Sequence, residues 1–297
     1  MKKLFAMLLT LTMVLSLAAC GSKAETPSDD TKDDAPAQDA AEASTLTTVT
    51  DGTLTVATSP DFAPYEFYAI GEDGTPTLAG FDMALAQYIA DYMGLKLEVI
   101  PMDFDGVLTE LATKNVDLGM AGLSPDPKRA DAMDFSDLYY MGGQSFVCLK
   151  DNADKFTSLE DTNKSEYSIA AQTGSIQMDL AEANSPDADI IALPKVTDII
   201  SELLANKLDG AYIETAVAES YQKNYPDLDI VLDVPYDTEG SAIGVSKGNE
   251  ALLKAVNEAI AAALADGSME SFIAQANEQA SGNTYEGLLD DNGQVQQ

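Results

Sequence analysis

A chain of 297 residues with 45% hydrophobic content is long enough for about two domains and carries enough apolar mass for real cores. Its 50 acidic against 16 basic residues leave a formal net charge of −34, which argues against nucleic-acid binding and against an electrostatic hold on anionic lipid. The sequence has no histidine and no tryptophan, so the commonest general base and the commonest zinc ligand are both missing.

Met1-Lys2-Lys3 and the apolar run Leu4 to Leu17 read as a secretory signal over 1–19, too short and wrongly flanked for a membrane span. The run ends Leu17-Ala18-Ala19-Cys20-Gly21, which resembles the bacterial lipobox and implies cleavage before Cys20 and lipidation of its thiol. Residues 20–50 then carry Ser, Thr, Ala, Pro and Asp with little aliphatic bulk, the composition of a disordered acidic tether. The pairs Asp29-Asp30 and Asp33-Asp34 lack a spaced oxygen-ligand loop and read as solvated charge, so neither a metal nor a cofactor is expected.

The folded body begins near Asp51-Gly52. Leu54 and Val56 predict a first strand ended by Ser59-Pro60, and Asp61 to Phe67 an aromatic loop. Met83, Leu85, Ala86, Ile89, Ala90 and Met93 recur at helical spacing up to Gly94. A strand over Leu95 to Ile100 follows, then a helix capped by Asp105 and a strand over Val116 to Leu118. Ser124-Pro125-Asp126 reads as the start of a helix running through Lys128-Arg129, whose free amides favour an anion. Arg129 adds a planar fork suited to a carboxylate. Alternating strands and helices predict an α/β protein with parallel sheet.

The pattern breaks at Phe135 to Gly143, where paired glycines suggest a crossing into a second lobe. There a smaller cycle repeats: strands over Tyr167 to Ala171, Asp189 to Leu193, Asp209 to Ile213 and Ile230 to Leu232, with helices over Ile176 to Ala183, Val196 to Ala205 and through Val217 and Tyr221. Ser241 to Ser246 reads as a strand, Glu250 to Ala265 and Met269 to Ala276 as helices, and Tyr285 to Gln297 as a loose acidic end. Cys148 lies in Phe146-Val147-Cys148-Leu149, the setting of a small buried hydrophobe, and no intramolecular disulfide is expected.

In this order and spacing, Ala57 to Phe67, Gly80-Phe81-Asp82, Pro101 to Gly106, Gly122-Leu123-Ser124 with Lys128-Arg129, Asp134 to Asp137, Gln172 to Ser175 and Leu208 to Glu214 resemble a known family. It is the family 3 extracellular solute-binding proteins of bacterial polar amino-acid ABC importers, here in lipoprotein form. The likeness runs from Gly52 to about Asn277. It implies a two-lobed type II periplasmic-binding-protein-like fold with two crossover strands at the hinge. Lobe 1 would take 51–138 plus 241–285, lobe 2 144–235 and the hinge 139–143 and 236–240, leaving 286–297 as a tail.

The resemblance also implies roles. Arg129 would hold the α-carboxylate of a free L-amino acid, with Ser124 and the amides of Ser175 and Ile176. Glu214, longer than the aspartate commoner at its position, would take the α-ammonium with Gly122 and Ser124 as further acceptors. Phe62 and Phe104 would form apolar walls. Ser59 stands where several members carry an acid that meets a basic side chain, which weakens that choice unless Asp61, Glu66 or Asp103 compensates. Gln172 and Gln177 would meet a polar side chain. The implied protein is a monomer, lipid-anchored through Cys20 to the outer face of the cytoplasmic membrane. It would deliver a polar or basic amino acid to an ABC permease and its ATPase subunit. A dehydratase-like enzyme on the same fold is one alternative, for which the sequence offers carboxylates but no histidine. A ligand-sensing module is another, which needs a membrane span and a signalling domain beyond Asn277.

Overall fold

The computed structural model of the protein describes residues 46–71, 74–237 and 240–281. The signal, Cys20, the tether before residue 46 and the 286–297 tail lie outside the described residues. Residues 46–50, read as the end of the tether, rest on the body: the Val49 amide donates to Asp117, the Thr47 carbonyl accepts from Asn249, and Leu46 packs on the core.

Two five-stranded sheets are built in chain order. In the first half come β1 (Thr53–Thr58), β2 (Asp61–Phe62), β3 (Glu66–Ile70), β4 (Pro76–Ala79), α1 (Phe81–Met93), β5 (Lys96–Pro101), α2 (Phe104–Ala112), β6 (Leu118–Gly119) and β7 (Met133–Tyr140). The chain then forms β8 (Gln144–Leu149), β9 (Ser168–Gln172), α3 (Ile176–Asn184), β10 (Asp189–Leu193), α4 (Val196–Leu204), β11 (Gly210–Glu214), α5 (Thr215–Asn224) and β12 (Leu228–Asp233). It returns as β13 (Ser241–Ser246) and closes with α6 (Glu250–Ala265) and α7 (Ser268–Ala280).

The first sheet has the order β5-β1-β6-β13-β7 and the second β10-β9-β11-β8-β12. β1 lies parallel to β5 and β6, and β9 parallel to β10 and β11. The strands next to each crossing, β13 and β8, run antiparallel to their neighbours, so each sheet is mixed rather than wholly parallel. The chain passes between the sheets twice, between β7 and β8 and between β12 and β13. This two-lobed α/β architecture is the one the resemblance implied.

Each sheet is covered on both faces, which is why its strands read as near-continuous apolar runs. In lobe 1 the Leu85 and Ile89 stripe of α1 and Leu252 and Val256 of α6 bury Leu54, Val56, Ile243 and Val245. On the other face Val107 and Leu111 of α2 meet Ala57, Leu123 and Met133. In lobe 2 Val196, Ile199, Ile200 and Leu203 give α4 a fully apolar stripe, each such side chain stabilising by roughly 1.5–3 kcal/mol. Cys148 is wholly buried and burial pushes its thiol up to about 12, so it packs as an inert hydrophobe.

Three local readings are corrected. The Asp61 to Phe67 loop is the start of a small antiparallel sheet, β2-β3-β4, whose strands pair with each other rather than with the main sheet. α2 starts after Asp103, not Asp105. The expected helix through Lys128-Arg129 is a single 3-10 turn, Pro127–Arg129, because the chain must enter β7 at Met133. Its first-turn Lys128 amide is already taken by the Asp126 side chain.

Candidate ligand-binding site

In open α/β sheets the loops beyond the carboxyl ends of parallel strands face a common crevice. Here β1 ends at Thr58 before Ser59, β5 at Pro101 before Phe104, and β6 at Gly119 before the Gly122 to Arg129 loop. In lobe 2, β9 ends at Gln172 before Ser175, and β11 ends on Glu214 itself. Topology thus brings Ser59, Phe104, Gly122, Ser124, Arg129, Gln172, Ser175, Ile176, Gln177 and Glu214 to these strand ends or the first turns that follow them, with Phe62 just beyond Ser59 on β2.

Arg129 projects from the lobe 1 loop. Its Nη2 donates to the Gly174 carbonyl of lobe 2 at 2.9 Å, and its Cζ lies 5.7 Å from the centre of the Phe104 ring. Asp126 approaches its Nε only to 3.9 Å. Among the described residues that one hydrogen bond engages a guanidinium with five donors, on a side chain only 12% exposed. Burial pulls the Arg129 pKa down, but a guanidinium keeps its charge.

Gly122 shapes the loop before Arg129. Its φ of +56° lies in the left-handed region, and a Cβ there would stand 2.6 Å from the Phe62 ring. The backbone therefore presses on Phe62, which also packs at 5.4 Å on the Tyr65 ring. The Gly122 amide is held by Asp82 Oδ2 at 3.1 Å. Ser124 is buried, and its hydroxyl makes no hydrogen bond among the described residues.

Glu214, 3% exposed, ends β11 and caps α5, with Oε2 accepting from the Val217 amide at 2.9 Å. Oε1 accepts from the Tyr65 hydroxyl of lobe 1 at 3.1 Å, and that hydroxyl accepts in turn from Ser241. Burial raises the Glu214 carboxyl to about 7, against hydrogen bonds from Val217, Tyr65, Ala216 and Gly143 that favour the charged form. Gly142, in the first crossing, lies so close that a Cβ would meet Glu214 Oε1 at 2.5 Å and the Tyr65 hydroxyl at 3.0 Å. The paired glycines of the sequence thus allow the crossing chain to pass the acid.

Among the remaining polar groups, the side chains of Ser175, Gln177, Ser59 and Gln172 have protein partners. Ser175 caps α3 through the Met178 amide, its hydroxyl donates to the Gln172 carbonyl, and its own amide does the same. Ile176 opens α3, where intrahelical bonding leaves the amide without an acceptor. Gln177 donates to Gln144 at 2.7 Å within lobe 2. Ser59 donates to Asp61 at 2.7 Å, and Gln172 donates to Asp61 and to the Pro194 carbonyl. Arg129 and Glu214 lie in different lobes and are not paired with each other among the described residues.

Sequence reasoning missed two residues. Tyr65 sits within a quoted motif without a role, although a buried tyrosine hydroxyl needs a partner. Asp61 was considered only as a contact for a basic side chain, whereas here it joins the lobes. Burial pushes its carboxyl to about 6, opposed mainly by hydrogen bonds from Ser59 and the Val196 amide.

Comparison with known proteins places this geometry in context. The profile of the bacterial extracellular solute-binding proteins, family 3, matches residues 54–277. The arginine-binding extracellular protein ArtP of Bacillus subtilis is 34% identical over 201 residues, spanning 66% of this chain and 75% of its own. The amino-acid ABC transporter substrate-binding protein AbpA of Streptococcus pneumoniae, solved with L-arginine, superposes with a TM-score of 0.74 at 30% identity, over 77% of this chain and 96% of its own. Cyclohexadienyl dehydratase of Pseudomonas aeruginosa is 28% identical over 177 residues, 60% of this chain and 65% of its own. The profile match spans both lobes and every candidate ligand residue, and the chain belongs to the bacterial extracellular solute-binding proteins of family 3.

Proposed function

We propose that the protein captures a free amino acid, polar or basic, between its lobes and delivers it to an ABC permease without chemical turnover. One observation carries the reading: a largely covered guanidinium with most of its donors uncommitted in one lobe, and a buried carboxylate in the other. A zwitterion supplies a partner to each, the α-carboxylate to Arg129 with Ser124 and the Ile176 amide, the α-ammonium to Glu214. Only lobes that have closed satisfy both charges, so ligand shifts the equilibrium toward closure about the segments 139–143 and 236–240. Phe62 and Phe104 would wall the site. The names of ArtP and AbpA support an amino acid as ligand and binding rather than catalysis. The Leu17 to Gly21 stretch supports a lipid anchor on Cys20, with the body working as a monomer outside the membrane.

The test is a thermal-shift screen of the twenty amino acids on a chain starting after Cys20, with the incubated amino acids checked for turnover. Binding to the native state raises the melting point. Arg129→Ala removes charge-assisted bonds at about 1.5–3 kcal/mol each and weakens binding by at least about a hundredfold for every amino acid. A normal shift in Arg129→Ala refutes the carboxylate assignment; a turnover product refutes pure binding.

A further inference from the structure

The first turn of α4 lacks a cap of its own. Its N-cap is Lys195, whose side chain is a donor and cannot satisfy the free amides of a helix start. The acceptor comes instead from the other lobe. Asp61, on β2 of the small lobe 1 sheet, accepts the Val196 amide of α4 through Oδ2, 135 positions along the chain. The same Oδ2 accepts Gln172 Nε2 from the end of β9 at 3.3 Å, and Ser59 fixes Oδ1 from within lobe 1. The Asp61 carbonyl also accepts the Tyr221 hydroxyl of α5 at 3.2 Å. One nearly buried residue of lobe 1 therefore meets the end of one strand and two helices of lobe 2.

We propose that Asp61 is a cross-lobe latch: on closure its carboxylate caps α4 and holds Gln172, stabilising the closed form whichever amino acid is bound. The proposal rests on the two-lobe capture reading and deepens it. It takes Asp61, Ser59 and the Gln172 Nε2 group out of side-chain recognition, because these atoms are spent on one another, on the Val196 amide and on the Pro194 carbonyl. A helix-capping carboxylate is favoured by the amide hydrogen bond and by the positive end of the helix dipole. Opening loses both, so the latch acts on the rate of release rather than the rate of encounter.

The experiment uses the full chain and three probes, L-arginine, L-histidine and L-glutamine, with calorimetry, stopped-flow kinetics and small-angle scattering. In Asp61→Ala the Kd of every probe that the wild type binds rises by a common factor of roughly tenfold to a hundredfold. Their ranking is kept, the change lies in koff, and the ligand-free chain has a larger radius of gyration. Gln172→Ala shows the same pattern with a smaller factor, and the double variant adds less than the sum of the two. Gln172→Ala alone decides the matter if Asp61→Ala does not fold. Selective loss of L-arginine and L-histidine makes Asp61 a side-chain contact and overturns the latch, as does an unchanged Kd. If the wild type binds none of the three, the amino acid with the largest thermal shift among the twenty replaces them, and the capture reading fails only if none of the twenty binds; scattering tests the latch in either case, and no expansion in either variant overturns it.

Discussion

Replacing Glu214 by glutamine should make the ligand-free protein more stable at pH 8 while destroying its binding. Burial raises this carboxyl from 4.5 to about 7, so the native state holds its proton to a higher pH than the unfolded chain does. A group raised in this way costs nothing below about pH 4.5. Its penalty grows as pH climbs toward 7 and is then constant. At about 1.4 kcal/mol per pH unit the penalty at pH 8 is about 3 kcal/mol. Glutamine carries no charge to desolvate. Its oxygen can keep the Val217 amide, and its amide can donate to the Tyr65 hydroxyl, which then turns toward Ser241. Allowing about 1 kcal/mol for imperfect hydrogen bonds leaves a gain of about 2 kcal/mol, a rise in melting temperature of roughly 4–8 °C for a body of this size. The assay is thermal melting of wild type and Glu214→Gln at pH 5 and pH 8, with and without the best-binding amino acid. The advantage of the variant should shrink to near zero at pH 5, and its ligand shift should vanish at both. A variant that melts below the wild type at pH 8, gains equally at both pH values, or keeps the ligand shift refutes the argument. On the proposed function, the α-ammonium of the captured amino acid would offset that penalty.

Two further outcomes follow from the supports of the Gly122 loop. Glu66 and Asp82 are wholly buried; burial pushes Asp82 to about 6, and burial with the nearby Asp82 and Asp61 charges pushes Glu66 well above the carboxylate range. Wild-type stability should therefore fall as pH rises from 5 to 8, and Glu66→Gln, which mimics the protonated acid, should flatten that slope in urea melts at several pH values. An unchanged slope would rule out a Glu66 that holds its proton in the folded chain. Gly122→Ala sets a Cβ 2.6 Å from Phe62 at a φ of +56° and should cost about 1–3 kcal/mol in urea unfolding. Phe62→Leu in the same chain should recover part of that loss; no recovery would place the strain in the backbone alone.

Where a signal is local, sequence and structure coincide. β10, β13 and α6 have the bounds expected, because alternation, helical spacing and the Asn249 cap all lie within the element. α1 ends against Gly94 for the same reason. The Asp61 to Phe67 stretch reads as loop although it holds β2 and the start of β3, since these strands pair only within the small sheet and carry no long apolar run. β6 shrank to two residues because its neighbours β1 and β13 pair with so little of it. The helix expected at Arg129 rested on cap chemistry that serves a single turn equally well.

The sequence by itself determined two α/β halves and the placement of Arg129 and Glu214 beyond or at strand ends, since these follow from periodicity and from residues a few positions apart. Tertiary structure alone decided how those charges are spent. Tyr65 reaches Glu214 across 149 positions and Gln172 reaches Asp61 across 111, so neither partnership leaves a local trace. Burial, which lifts Glu214 and Asp61 toward neutral pH, is likewise a property of the assembled lobes, because desolvation depends on everything packed around a group and not on its neighbours in the chain.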